Sequence, residues 1–256
     1  MTALRATDLT LPGRLTGVDL TLRPGEVTAI VGPNGAGKSS LLACLAGLLA
    51  LETGAVTCGG EALAALPPRE RARRIGYLPQ TPEIAWDVSV ETLVSLGRLP
   101  WQGAARHPAR TTPAEDAAAV DRALAAMDLS ALRHRPVSHL SGGERARALA
   151  ARVLAGEPAW LLADEPLANL DLAHAAALVA LLRAQAGEGR GVVLVLHDLA
   201  MAMNRADRVV VLERGRIVAD GPPEQALEAA LVSRVWQVQA CWWGGPGTRA
   251  LALGQP

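Results

Sequence analysis

Eight consecutive residues, Gly32-Pro33-Asn34-Gly35-Ala36-Gly37-Lys38-Ser39, carry the densest chemistry in the chain, with Ser40 following in the same run. In a G-x-x-x-x-G-K-[ST] loop the glycines let backbone amides turn inward around a polyphosphate, the lysine reaches the β- and γ-phosphates, and the hydroxyl takes a Mg2+ position. A helix starting near Lys38 adds the positive end of its dipole. Of the 25 Lys and Arg residues, Lys38 is the only lysine. A chain that uses arginine at every other basic position has kept the compact ammonium where a planar fork would fit a phosphate cradle poorly.

Four further groups of residues have types suited to phosphate chemistry. Asp164 and Glu165 end an apolar run, and beside a phosphate loop Asp164 can hold Mg2+ through its waters while Glu165 orients or deprotonates an attacking water. His197 ends another apolar run, from which it can contact a γ-phosphate, and Gln80 ends a third, from which it can reach the Mg2+ or the water. In Ser141-Gly142-Gly143-Glu144 the Ser-x-x-Glu spacing is a capping box for the helix that follows. Two glycines in a first helical turn cost about 1 kcal/mol each against alanine. Bare glycine there also suits a phosphate that must approach the backbone closely, and the two readings are compatible.

The elements that must position these residues follow from periodicity. Residues 3–22 alternate apolar and polar around Pro12-Gly13, which predicts an antiparallel hairpin. Residues 27–31 form a strand into the glycine loop, residues 38–48 a helix, 54–60 a short edge strand, 67–74 a charged helix with a solvated face, and 75–78 a strand. From residue 81 to 158 helical patterns replace strands, at 90–97, 114–127 and 142–155; in the last, Ala146, Leu149, Ala150, Val153 and Leu154 share one face. Residues 102–113 read as an exposed loop. Residues 159–163 and 192–196 are continuous apolar strands separated by a helix at 172–186, the pattern of parallel strands buried on both faces. Such strands deliver their polar ends to one crevice at the carboxyl edge of the sheet. The expected fold is α/β, with a mainly parallel sheet, an N-terminal antiparallel β portion, a nucleotide-binding core at 1–80 and 159–256, and a helical subdomain inserted at 81–158. Beyond Cys241, the paired Trp242 and Trp243 suggest a packing contact, while Gly244, Gly245 and Gly247 suggest a loose end.

Composition narrows the function classes. At 256 residues, half of them apolar, the chain can bury a sizeable core, and a formal net charge of zero argues against nucleic acid as partner. Cys44, Cys58 and Cys241 show no C-x-x-C spacing and the five histidines are scattered, so neither a metal cluster nor a disulfide framework is expected, and a reducing compartment is. The first residues carry no signal-peptide apolar stretch, and no apolar run approaches the roughly 20 residues of a membrane helix. The expectation is a cytosolic chain.

Taken together and in order, the phosphate loop, Gln80, residues 140–144, Asp164-Glu165 and His197 resemble the ATP-binding-cassette (ABC) ATPases over nearly the whole chain. Leu140-Ser141-Gly142-Gly143-Glu144 resembles that family's signature motif. The resemblance implies a P-loop NTPase (RecA-like) core that hydrolyses ATP with Mg2+, and two copies paired head to tail. ATP would lie between the phosphate loop of one copy and Ser141, Gly142 and Gly143 of the other, with Asn169-Leu170-Asp171 crossing the interface and Asp171 aligned to the family's aspartate. Two features depart from the family: residues 11–14 offer no aromatic group for adenine, leaving Arg14 or apolar contact, and Ala163 replaces a larger aliphatic residue. Leu78-Pro79-Gln80-Thr81, Val90-Glu91, Gly97-Arg98-Leu99-Pro100-Trp101, His197-Asp198-Leu199, Ala206-Asp207-Arg208 and the run 215–221 resemble the importer ATPases for iron-siderophore, haem and cobalamin uptake. What this implies is a homodimer on the inner face of the cell membrane, beneath two copies of a many-helix permease fed by an external substrate-binding protein. Residues 81–97 would receive a permease helix through Ile84, Trp86, Val88 and Leu93, unless these are core. A soluble, non-transport member of the family acting as an assembly or scaffold factor shares every catalytic residue; residues 97–101 and the single-cassette length favour transport. A P-loop kinase or GTPase would leave residues 140–144 unexplained.

Overall fold

The computed structural model describes residues 2–80, 87–102 and 111–254. β1 (Leu4–Leu11) and β2 (Leu15–Leu22) form the expected antiparallel hairpin, turning at residues 12–14, and β3 (Val27–Val31) runs into the glycine loop and α1 (Lys38–Leu45). β4 (Thr53–Cys58) does not lie at an edge: it pairs with β1 on one side and with the two-residue β5 (Glu61–Ala62) on the other. A two-residue partner leaves no periodic signal to read. α2 (Pro68–Arg74) leads into β6 (Ile75–Leu78).

Between β6 and the next strand the described chain is helical, comprising α3 (Val90–Ser95), a 3₁₀ turn at Leu96–Trp101, α4 (Pro113–Ala126) and α5 (Gly142–Ala155). Then come β7 (Trp160–Asp164), α6 (Leu172–Gly187), β8 (Gly191–Val195), α7 (Leu199–Arg205), β9 (Arg208–Glu213), β10 (Arg216–Gly221), α8 (Pro223–Ala226), α9 (Ala229–Trp236), β11 (Gln239–Trp243) and β12 (Ala250–Gly254). The six-stranded sheet has the order β10-β9-β3-β8-β7-β6, parallel except for β10; a four-stranded antiparallel sheet has the order β2-β1-β4-β5.

Alternation along the parallel strands divides the interior in two. Val27, Ala29 and Val31 of β3, Leu161 and Ala163 of β7, and Val192 and Leu194 of β8 pack with the helical insert and α6. Their neighbours Ile30, Leu162, Val193 and Val195 pack on the other face, against α1 and the antiparallel sheet. Every central-strand side chain is therefore buried, which is why these strands read as continuous apolar runs. Strands β9 and β10 continue the sheet past the last strand assigned from sequence. The C-terminal segment is an ordered hairpin: Trp242 Nε1 donates to Leu227 O at 2.7 Å, and Asn204 bonds the backbone of Arg249 through both its donor (2.7 Å) and its acceptor (2.8 Å). The packing contact suggested by the paired tryptophans is made by Trp242, and the glycines form the turn.

Two sequence expectations are corrected, one in the insert and one in α2. Leu93 is 2 % exposed and belongs to the core, with the partly buried Val88 packed against it, so Leu93 is not free to receive a permease helix; Thr81, Ile84 and Trp86 lie outside the described residues. The α2 helix is not wholly solvated, because Arg73 is buried. It donates to Pro100 O at 3.0 Å and stacks over the Trp101 ring, 4.8 Å from its centroid. On the same ring, Arg98 lies 5.1 Å from the centroid. Arg98 is 1 % exposed and donates to Asp116 at 2.8 Å, to Ala155 O at 2.8 Å and to Glu157 at 2.9 Å, while Trp101 Nε1 donates to Gly156 O at 2.9 Å. Residues 97–101 thus tie α2, α4 and the end of α5 into one piece.

Removing one member of a buried charge cluster strands the others. Arg98→Met should lower folding stability by about 3 kcal/mol, measured by urea unfolding. Burial acts to raise the Glu157 carboxyl, but Arg122 and Arg98 outweigh it and hold it below the usual carboxylate range. A depressed acid contributes stability above its unfolded pKa and loses it as the pH falls through its folded one. Melting temperature should therefore fall on acidification below about pH 4, and Arg98→Met should flatten that limb.

Candidate functional site

The glycine loop is clamped by two turns of the chain. Gly32 has φ 155°, and a Cβ there would lie 2.2 Å from Leu212 O at the end of β9. Gly37 has φ 100°, and its Cβ would lie 2.6 Å from Arg14 O in the β1–β2 turn. Across the loop, Gly215 N donates to Ala36 O at 3.0 Å from the β9–β10 turn. With both flanks filled by backbone, only glycine fits at these two positions. Gly37 also serves as the N-cap of α1 in a left-handed conformation without a side-chain cap. The first-turn amides of α1 are therefore left for an anion. Lys38 is 6 % exposed, and its Nζ donates to Gly32 O at 2.8 Å and Pro33 O at 3.1 Å. Burial presses its pKa down, against the pull of Glu165 and Asp164.

The strand ends bring the acids to this loop. Ser39 Oγ donates to Asp164 Oδ1 at 3.0 Å at the end of β7, where burial raises the carboxyl despite that bond. Both groups offer hard oxygen ligands, the donor chemistry that Mg2+ requires. Glu165, one residue beyond, has φ 49°. Gln80 Nε2 donates to its Oε2 at 2.6 Å from the end of β6, and His197 Nε2 lies 2.5 Å from its Oε1 just past β8. Three strands therefore converge on one carboxylate. Its two oxygens are held by different elements, a placement suited to aligning a water.

Ser141 N-caps α5 with both halves of the capping box: Glu144 N donates to Ser141 Oγ at 3.2 Å and Ser141 N donates to Glu144 Oε2 at 2.8 Å. A Cβ on Gly142 would meet nothing within 4 Å, whereas one on Gly143 would strike the ring of His174. Asp171 N-caps α6, accepting from His174 N at 2.8 Å. The structure thus joins Lys38, Ser39, Gln80, Asp164, Glu165 and His197 in one cluster and places Ser141, Gly143 and Asp171 in another. Gly142 links them, since it lines, with Gln80, Glu165, Asn169 and Arg145, a cleft of about 270 Å³. Tyr77 lies half-buried on β6, with its phenol pushed up to about 12 by burial and by Asp164. Sequence reading passed over Arg145 and His174 and took Gly215 of the β9–β10 turn only as part of a resemblance, not as a clamp on the loop; of these only His174, three residues after its cap, follows a local pattern.

A parallel sheet with a clamped phosphate loop and a carboxylate at its catalytic edge defines a nucleotide-hydrolysing P-loop protein. A family profile described as "ABC transporter" matches residues 15–168. The hemin import ATP-binding protein HmuV of Streptomyces coelicolor is 44 % identical over 239 residues, 93 % of this chain and 83 % of that protein. HmuV of Myxococcus xanthus is 43 % identical, covering 95 % of this chain and 93 % of its own length. Among solved structures, cbiO1 from Clostridium perfringens, part of the ABC transporter complex cbiONQ, superposes with a TM-score of 0.78 at 28 % identity, over 90 % of this chain and 92 % of its own. An ATP-binding cassette of an ABC transporter in its ADP conformation shares the fold, with a TM-score of 0.81 at 24 % identity over 93 % and 98 % of the two chains. The chain belongs to the ABC transporter family. It is an ATP-binding, ATP-hydrolysing transport ATPase. Among the described residues no helix is long and apolar enough to cross a membrane.

If Glu165 aligns the water, Glu165→Gln should retain ATP binding while turnover falls by about 100-fold or more, read in a phosphate-release assay. Lys38→Ala should abolish binding of a fluorescent ATP analogue, because the remaining amides lack the charge that reaches the terminal phosphates.

Proposed function

We propose that this protein is the ATPase subunit of an importer for a metal chelate, with haem the first cargo to test. The observation that carries this is the 44 % identity, over 93 % of the chain, to a protein named for hemin import. Iron-siderophore and cobalamin are the other cargoes of the same chemical class, and an ATPase of this kind does not itself touch the cargo.

In this reading Lys38, the loop amides and Ser40 hold the phosphates, and Ser39, Gln80 and Asp164 hold Mg2+, which supplies charge neutralisation at the phosphates. Glu165 orients the water, positioned by Gln80 and by His197, which also contacts the γ-phosphate. Two copies pair head to tail. Ser141, Gly142 and Gly143 of each copy present the bare N-terminus of α5 to the nucleotide held by the other, and Asp171 crosses between them. The free energy of ATP binding closes the pair, and hydrolysis at Glu165 releases it. Each closure pulls on two permease copies at the inner membrane face, fed by an external binding protein. Residues 1–80 and 159–256 act as the nucleotide core and 81–158 as the moving subdomain. Adenine, without an aromatic platform, rests against Arg14.

Gentle solubilisation of membranes holding tagged Glu165→Gln protein with ATP should co-purify a many-helix permease, and cells carrying Lys38→Ala should fail to take up haemin. Recovery of soluble partners alone would favour an assembly factor. Uptake of a siderophore or cobalamin in place of haemin would reassign the cargo. Ser141→Arg should stop hydrolysis while leaving ATP binding to isolated subunits intact.

A further inference from the structure

α6 begins Leu172-Ala173-His174-Ala175-Ala176-Ala177, an alanine-rich run interrupted by one polar ring. Helix propensity does not call for histidine there, since alanine is better by several tenths of a kcal/mol. The cap does not require it either, because Asp171 Oδ1 is satisfied by the backbone N–H of residue 174, whatever its side chain.

The ring nevertheless makes two specific contacts. His174 Nδ1 lies 2.8 Å from Asp171 Oδ2, so the second carboxylate oxygen of the cap is bound to the ring. On its other side the ring occupies the space where a side chain at position 143 would grow: a Cβ on Gly143 would lie 2.1 Å from His174 Cδ2 and 2.5 Å from Cγ. Gly143 is buried while Gly142, one residue earlier, is exposed, and the difference is this ring. Next to it, Leu172 is 86 % exposed, a large apolar side chain left on the surface.

We propose that His174 is a positioning residue for the composite ATP site. Held by Asp171 on one side and seated on Gly143 on the other, it fixes the start of α6 and the first turn of α5 as one rigid surface. The partner's nucleotide then meets both together. The proposal rests on the head-to-tail reading above. His174 touches no reacting atom; it acts through Gly143 and Asp171.

The test uses full-length Glu165→Gln protein with ATP in sedimentation velocity. The parent should dimerise. Adding His174→Ala should weaken dimerisation by about tenfold, a typical coupling between contacting residues, while binding of a fluorescent ATP analogue to the dilute subunit stays within about twofold. His174→Asn, which can still donate to Asp171, should recover most of the loss. Failure of the parent to dimerise would overturn the composite reading and this proposal with it. A parent dimer unaffected by His174→Ala would overturn this proposal alone. Equal losses from His174→Ala and His174→Asn, or a parallel loss of nucleotide binding by the dilute subunit, would mark a general folding role and also overturn it. A double-mutant cycle in thermal melting checks the contact directly: Gly143→Ala should lower the melting temperature less in the His174→Ala background than alone, and additive losses would remove the contact from the account.

Discussion

A phosphate site built from backbone amides must be rigid before the phosphate arrives, and in this protein that rigidity comes from backbone pressed on backbone. Leu212 O and Arg14 O occupy the places where side chains at Gly32 and Gly37 would stand, and Gly215 N bonds Ala36 O from above. These contacts come from β9 and from the β1–β2 turn, elements far apart in the chain. The parallel sheet and the antiparallel sheet therefore both have to be in place before the loop has its shape. The same packing buries the single lysine, whose ammonium is met by two loop carbonyls. The ammonium makes no direct ion pair with Asp164 or Glu165, although both carboxylates act to raise its pKa against burial.

Strand geometry accounts for the rest of the catalytic edge. In a parallel sheet all carboxyl ends fall on one side, so Gln80 after β6 and His197 after β8 arrive within hydrogen-bond range of Glu165, which follows Asp164 at the end of β7. Glu165 takes a left-handed conformation immediately after the strand, which turns its side chain between Gln80 and His197. Backbone strain of this kind costs on the order of 1–3 kcal/mol and persists where the surroundings impose it. Here the two donors and the buried strand impose it.

The helical insert is joined to this edge at two places of different chemistry. At one end, Arg73 and Arg98 both stack on Trp101, and Arg98 links α4 to the residues after α5. At the other end, α5 presents a capped first turn that opens on two glycines beside the cleft containing Gln80 and Glu165. The charged, aromatic end holds the insert's own helices and α2 together, while at the other end Gly142 is exposed and Gly143 lies under the His174 ring.

By itself the sequence determined the phosphate loop, the acids at strand ends, the capping box at Ser141 and the alternation of strands and helices. Each of these is local: a glycine spacing, a period of two or of 3.6, or a polar residue closing an apolar run. It also carried the family, through the resemblance of residues 140–144 to that family's signature motif. Tertiary structure alone decided that β4 is interior to its sheet, that β9 and β10 extend the large sheet, and that Leu93 and Arg73 face inward. It also decided that residues 97–101, which in sequence looked like a mark of kinship, are a joint built around the buried Arg98. What these share is dependence on a partner distant in the chain, whether a two-residue strand, an indole ring or a carbonyl from another turn. His174 shows the limit most clearly. Its distance from Asp171 is visible in sequence, but that its ring fills the space above Gly143 follows only from how α5 and α6 pack.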